Sequence, residues 1–398
     1  MDDTKISHVD PAVVTEVINK LESKFGKMSV VRGDEHVFLG MRVRYIRDKR
    51  QAAINMKSYL IEAIDESGLD INRSAATPAG EELFVIDEQA VRLSPSAGVV
   101  FHSVAAKLLY VSIRARMDLL MATSFLTTRV SKSTQQDLAK LKRLLEYISG
   151  TLDDEYVVGA DDLGKLRTWI DASYAVHPDC KSHTGGAMSF GTGALVCKSS
   201  KQKLNTKSST EAELVGASDY LPNTIWAKMF LSAQGYNVHT SILEQDNESV
   251  IRLEKNGRSS AGPKSRHINI RYFWLKDRVK SEGITIRHCP TLQMLADFFT
   301  KPLQGSLFHR FKAVVLGHQH IDTLSDTIAE PLEERIGDKR PGSHDDTVRE
   351  YNTGTGAIAV PISKRTYADA LKGVLPNSAG RRNKIQSRAH SLERIPSN

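Results

Sequence analysis

The stretch Leu166-Arg167-Thr168-Trp169-Ile170-Asp171 decides how the rest of this chain is read. It is an apolar–polar run that closes on an acid, the pattern of a β-strand delivering a carboxylate at its end. Downstream, 184–191 and 194–198 read as two more strands, with Gly191-Thr192-Gly193 as the turn between them. Together the three strands predict a meander. A helical pattern then runs from about 209 to 234, with Pro222 placed to kink or split it. Strand 241–246 and helix 247–256 follow, then a basic segment over 257–264 and an aromatic, charged helix over 268–281. Strand 284–289 precedes a last helical turn carrying Asp297. Three antiparallel strands followed by alternating helices and strands predict a mixed α/β layer architecture.

Upstream, Val13, Val14, Val17, Ile18, Leu21 and Phe25 recur at helical spacing and predict an amphipathic helix over 11–25. Residues 37–46 and 52–55, turned by Asp48-Lys49-Arg50, predict a β-hairpin. Residues 56–67 read as helix, and 72–97, rich in Ser, Ala and Pro, as a long loop. Two helical patterns fill 99–149; the second carries Leu138, Leu141, Leu144, Leu145 and Ile148. Gly150-Thr151-Leu152-Asp153-Asp154 marks a boundary, and the pattern is lost after Gly317. The expected division is therefore 1–151, 152–317 and a mostly disordered, partly basic tail over 318–398.

Four acids stand where these elements end or begin: Asp171, Glu211, Asp246 and Asp297. Carboxylates at strand ends and helix starts can converge at one edge of a sheet, where each raises the pKa of the others. Hard divalent cations relieve that repulsion, and two of them about 3.5–4 Å apart can run phosphodiester cleavage. The pattern thus points to a metal-dependent nuclease. Glu213 lies two residues from Glu211, so a helix turns it to a different face, and it is assigned to surface or structural use.

The chain has 398 residues, 40% of them hydrophobic, and a net charge of +7. That is enough apolar content for real cores, with a basic balance that favours an anionic partner such as nucleic acid. Three cysteines, Cys180, Cys197 and Cys289, match neither a disulfide framework nor a zinc site. They fit a reducing, intracellular compartment, cytoplasmic or nuclear. No apolar run of ~18 residues occurs and no secretory signal opens the chain, so no membrane partner is expected.

Six short words then occur in order. They are Trp169-Ile170-Asp171-Ala172-Ser173-Tyr174-Ala175-Val176-His177; Ser182-His183-Thr184-Gly185-Gly186 with Lys198-Ser199-Ser200-Lys201-Gln202; Ser208-Ser209-Thr210-Glu211-Ala212-Glu213-Leu214; Asp246-Asn247; Arg266-His267-Ile268-Asn269-Ile270; and Ala296-Asp297-Phe298-Phe299-Thr300-Lys301-Pro302-Leu303. This series resembles the ribonuclease H domain in the Pol polyprotein of copia-type long-terminal-repeat retrotransposons. The resemblance implies a ribonuclease H-like mixed sheet with flanking helices over 152–317. It implies Asp171, Glu211, Asp246 and Asp297 as catalytic metal ligands for Mg²⁺, or Mn²⁺, and the RNA strand of an RNA–DNA hybrid as substrate. Among the basic words, Lys201, Lys207, Arg266 and His267 are the residues expected to hold the hybrid. His288, nine residues ahead of Asp297, is the position offered for the histidine that many ribonuclease H domains carry in a loop.

The resemblance continues upstream. Phe38-Leu39-Gly40 and the following hairpin look like the primer-grip region of a reverse transcriptase. Lys107-Leu108-Leu109-Tyr110 and Ala115-Arg116-Met117-Asp118 look like later words between polymerase and nuclease, although the family usually has Thr-Arg-Pro-Asp at the second. Asp2-Asp3 looks like the tail of the polymerase's Tyr-X-Asp-Asp box. Residues 1–151 are thus expected to be a truncated reverse-transcriptase remnant without polymerase activity, unless an upstream half is supplied in trans. The alternative is a non-catalytic nucleic-acid-binding remnant of a decayed element.

Overall fold

A computed structural model of the chain describes residues 4–248, 251 and 266–325. The structure is mixed α/β, with two five-stranded sheets. After a helix at Pro11–Phe25 (α1), a hairpin of Glu35–Phe38 (β1) and Met41–Ile46 (β2) pairs onward to Gln51–Asn55 (β3). The chain then crosses four helices: Lys57–Ser67 (α2), Pro95–Ser112 (α3), Leu120–Thr127 (α4) and Gln135–Ser149 (α5). It returns as Tyr156–Ala160 (β4), antiparallel to β3. A two-residue strand, Gly191–Thr192 (β7), closes the first sheet in the order β1-β2-β3-β4-β7. That sheet draws strands from both sides of residue 151, and the described residues fall in a single compact unit.

Helix α5 forms because its start is capped and one of its faces is apolar. Thr134 and Asp137 make a reciprocal capping box at the start of α5, satisfying two N–H groups that the helix leaves open. The buried stripe Leu141, Leu144, Leu145 and Ile148 packs with Leu108, Leu119 and Phe125 in one core. Within it Arg116 and Asp118 make a fork-to-fork pair, Nε to Oδ1 at 2.9 Å and Nη2 to Oδ2 at 2.8 Å. Tyr147 donates to Asp118 at 2.7 Å, and Arg116 donates to the Thr151 carbonyl and hydroxyl, each at 2.8 Å. Both charged side chains are fully buried and every charge has a partner, as burial requires.

The second sheet is built on Lys165–Ser173 (β5), with His183–Ser189 (β6) and Leu195–Lys201 (β8) antiparallel beside it. The helix Ser209–Ala233 (α6) runs unbroken through Pro222. Thr240–Gln245 (β9) is parallel to β5, and Ile284–His288 (β10), which follows the helix Arg266–Ser281 (α7), is parallel to β9. The strand order is β10-β9-β5-β6-β8. The final helix is Gly305–Val315 (α8).

β5 alternates between two cores because both of its faces are covered. Leu166 and Ile170 join the core under α6, and Thr168 hydrogen-bonds with Thr224 of that helix at 3.2 Å. Trp169 faces the helical core on the other side. Gly185 and Gly186 in β6 let both layers press in. A Cβ on Gly185 would stand 2.6 Å from Thr300 and 2.8 Å from the Ala296 carbonyl; one on Gly186 would stand 2.4 Å from the Tyr220 ring. The turn bearing Asp297 therefore lies directly on the sheet beside Asp171, which pairs in register with Gly185.

The tail boundary expected at 317 falls too early. Residues 321–325 form a 3-10 turn that buries Ile321 and Leu324, and His320 bridges to Thr192. Two apolar residues on one turn supply the anchor, too short a pattern to stand out in sequence. Residues 326–398 lie outside the described residues, as do Met1, Asp2 and Asp3.

A buried histidine pair ties the loop after β5 to β6. His177 Nε2 meets His183 Nδ1 at 3.0 Å, and His183 Nε2 meets Ser199 Oγ at 2.7 Å. Ser199 donates to the Phe299 carbonyl at 2.7 Å, so it accepts from His183, which in turn accepts from His177. Phe84 packs its ring against both. Burial pushes the His177 ring down to about 4 and the His183 ring down to about 3. Each takes up a proton on unfolding but not in the fold, so their stabilisation is complete above about pH 6.5 and falls as pH drops towards those values. The carboxylate cluster described below titrates in the opposite sense, so the histidine share is read as a difference. His177→Gln is expected to lose less stability than the wild type when thermal midpoints at about pH 7.5 and about pH 5 are compared.

Candidate metal centre

β9 lies beside β5 and parallel to it, so the C-terminal ends of the two strands are neighbours. Asp171 occupies that end of β5, and Asp246 follows β9 directly. Asp297 comes from the 3-10 turn Leu295–Phe299, the turn that Gly185 admits onto the sheet. One carboxylate oxygen from each of Asp171, Asp246 and Asp297 lies within 4.8 Å of the others. Asp171 and Asp297 are buried and Asp246 is half-buried.

The fourth acid at this place is Glu213, and the expected placement of Glu211 is corrected. Glu213 is 5% exposed, and the charges of Asp171 and Asp246 both act on its carboxyl. Its Oε2 is buried without a hydrogen-bond partner. Glu211 instead closes the start of α6. Its N–H donates to Ser208 Oγ at 3.2 Å, and its Oε2 accepts from the Lys207 N–H at 2.7 Å. Residues two apart on a helix point to different faces, so once Glu211 serves the cap, Glu213 turns inward. A sequence signal for this existed: Ser208-Ser209-Thr210-Glu211 has the spacing of a capping box.

Electrostatics at the cluster are unbalanced. Burial, then the Asp171 charge, pushes Asp297 well above the usual carboxylate range, and Lys301 pulls the other way. Burial and Asp171 likewise raise Asp246, and burial with Asp171 and Asp246 raises Glu213 strongly. The nearby buried Glu244 offers a contrast, because Arg167 and Arg287 both pair with it. At the cluster Lys301 Nζ lies 2.7 Å from Asp297 and 4.0 Å from Asp171, and Thr300 Oγ1 donates to Asp171. Hard oxygen donors and a buried carboxylate oxygen without a partner fit a hard divalent cation and suit no soft metal.

The basic residues are dispersed. Lys201 pairs with Asp179 at 2.7 Å. Lys207 meets Glu211 through its backbone, and its side chain is exposed. Arg266 and His267 open α7, but their side chains, like all of 252–265, lie outside the described residues. His288 ends β10 opposite Gln245 and is exposed. Lys198, Lys203 and Arg271 instead line an open pocket of about 290 Å³ with Leu204, Val215 and Asp219. There Asp219 pairs with Arg271 at 2.5 Å, and its carbonyl accepts from Lys198 at 2.9 Å. Three cations against one carboxylate leave this pocket positive.

No protein-family model matches the chain. Over 325 residues it is 25% identical to the retrovirus-related Pol polyprotein from transposon TNT 1-94 of Nicotiana tabacum, covering 80% of this chain and 24% of that protein. It is 24% identical over 318 residues to the corresponding polyprotein from transposon RE1 of Arabidopsis thaliana, covering 79% and 21%. It is also 25% identical over 308 residues to the transposon Ty1-MR1 Gag-Pol polyprotein of Saccharomyces cerevisiae, covering 73% and 17%. The chain is thus homologous to the Pol polyproteins of copia-type and Ty1 retrotransposons. It spans about a quarter or less of the length of these relatives. Among the described residues no helix is long and apolar enough to cross a membrane.

Proposed function

We propose that this retroelement-derived chain is a ribonuclease that cuts the RNA strand of RNA–DNA hybrids with the help of Mg²⁺ or Mn²⁺. The observation that carries this is the meeting of Asp171, Asp246 and Asp297 at adjacent strand ends, with Glu213 against them. The strand order β10-β9-β5-β6-β8, with two antiparallel strands on one side of β5 and two parallel ones on the other, supports a ribonuclease H-like domain over 152–317. Residues 1–151, with their hairpin and helices, are the share we assign to the end of a reverse transcriptase.

In this reading Asp171, Glu213, Asp246 and Asp297 hold the cations. A bound pair about 3.5–4 Å apart would lower the pKa of the attacking water and stabilise the leaving 3′-oxygen. The chain's own part is to bring the four carboxylates to one place from separate elements. RNA is selected through its 2′-hydroxyls and the shape of the hybrid. We assign the pocket of Lys198, Lys203 and Arg271 to a backbone phosphate, a contact that would set register without reading sequence.

Two measurements follow. Asp246→Asn is expected to abolish turnover while leaving hybrid binding intact or tighter, since it removes a charge that repels phosphate. Cleavage that survives this substitution points to a contaminating nuclease and removes the support for the reading. Lys198→Met with Lys203→Met is expected to flatten the dependence of log affinity on log salt by about 1–2, at roughly 0.7–0.9 for each phosphate no longer neutralised. An unchanged slope places the hybrid elsewhere on the surface.

A further inference from the structure

Lys301 reaches the acid cluster because of the turn that carries Asp297. The N–H groups of Thr300 and Lys301 both donate to the Asp297 carbonyl, at 3.2 and 2.9 Å. That winds one turn, so residues four apart face each other and Lys301 Nζ meets Asp297 Oδ1 at 2.7 Å. The same turn sets Thr300 Oγ1 on Asp171 and brings Nζ within 4.0 Å of the Asp171 carboxylate. The lysine therefore bridges two of the three acids whose oxygens lie within 4.8 Å of one another. Its side chain is 41% exposed, so it has room to leave.

We propose that Lys301 is a built-in counter-cation of the metal centre: its ammonium holds Asp297 and Asp171 together and must give up those contacts when a divalent ion binds. This rests on the metal-dependent reading above. The physical basis is the charge count. Four carboxylates converge, and among the described residues Lys301 is the one cation paired with any of them. An ammonium stabilises that arrangement with a single charge. A divalent ion brings two, but it competes for the same oxygens on Asp297 and Asp171. Metal affinity is thereby set below what the carboxylates alone would give, while the metal-free fold is spared their mutual repulsion.

The test is Mn²⁺ binding to the full chain at about pH 8, where carboxylate protons interfere least, followed by the paramagnetic resonance signal of free Mn²⁺. Lys301→Met is expected to bind Mn²⁺ about tenfold more tightly than the wild type, the equivalent of one charge-assisted hydrogen bond no longer displaced. It should also melt at a lower temperature without metal and gain more from added Mn²⁺ than the wild type does. Lys301→Arg, which keeps the charge, should stay close to wild-type affinity. Lys301→Gln serves if the methionine variant fails to fold, with the same tightening expected. Equal or weaker Mn²⁺ binding by the uncharged variants overturns the proposal, even if they are less stable, because Lys301 is then an ordinary structural ion pair. A wild-type chain that binds no Mn²⁺ overturns the metal-dependent reading itself, and this proposal with it. Unchanged affinity in the variants beside clear wild-type binding overturns this proposal alone.

Discussion

Glu213→Gln is expected to lower hybrid cleavage at least about 10³-fold, whereas Glu211→Gln leaves turnover near the wild-type rate. The first removes a carboxylate on which the Asp171 charge acts, with a buried oxygen that lacks a hydrogen-bond partner and that the proposed function assigns to a cation. Losing one ligand of a metal that stabilises a transition state is worth about 4 kcal/mol, which is about three powers of ten in rate. The second removes a charge from the open start of α6, where Glu211 accepts from the Lys207 N–H. Its cost is one of helix stability, about 0.5–1 kcal/mol, visible in the melting temperature and not in turnover. Steady-state kinetics of both variants beside their melting curves checks this. The reverse ranking would return the fourth carboxylate to Glu211.

Asp118→Ala is expected to be the most destabilising single change in the amino-terminal half. It leaves the Arg116 guanidinium fully buried with its main counter-charge gone, and Tyr147 without an acceptor. Breaking a buried pair from one side costs about 3–5 kcal/mol, because the remaining charge has lost its solvation and its partner. Thermal unfolding of the full chain should fall by roughly 5–10 °C. Arg116 also binds Thr151, and Asp154 beside it pairs with Lys312 of α8 at 2.6 Å. The damage should therefore spread to the segment that leads into β4. A change below about 1 kcal/mol, the range of exposed pairs, would mean that water reaches Arg116 freely.

Much of the second sheet was legible in the sequence because its signals are local. A strand of alternating apolar and polar residues and acids at strand ends are each written within a few residues, and Asp171, Asp246 and Asp297 do meet, whereas Gly191-Thr192, expected as part of a turn, pairs with β4 as the strand β7. The helix phase was the point of failure. Glu211 and Glu213 are both acids near a helix start, and only the competition for the open N–H groups decides which one turns inward. β4 and β7 were not legible either, because each is short and finds its partners far away in sequence, β4 on β3 and on β7. Lys301 carried no signal as a counter-cation, because only the turn at 297–301 folds it back over Asp297. Trp226, Met229 and Phe230 show the converse: large apolar residues at helical spacing that the fold leaves 59%, 66% and 50% exposed, although such a stripe reads as core.

The measurement that bears most directly on the central claim is cleavage of one end-labelled RNA by the full chain, presented either as an RNA–DNA hybrid or as duplex RNA. With Mg²⁺ the hybrid strand should be cut internally to products with 5′-phosphate ends, and duplex RNA should be spared. With Ca²⁺ in its place cutting should stop, since Ca²⁺ takes more ligands at longer, looser distances and positions water poorly. Salt-sensitive binding of the hybrid without any metal-dependent cleavage would contradict the claim and leave a protein that binds nucleic acid but does not cut it.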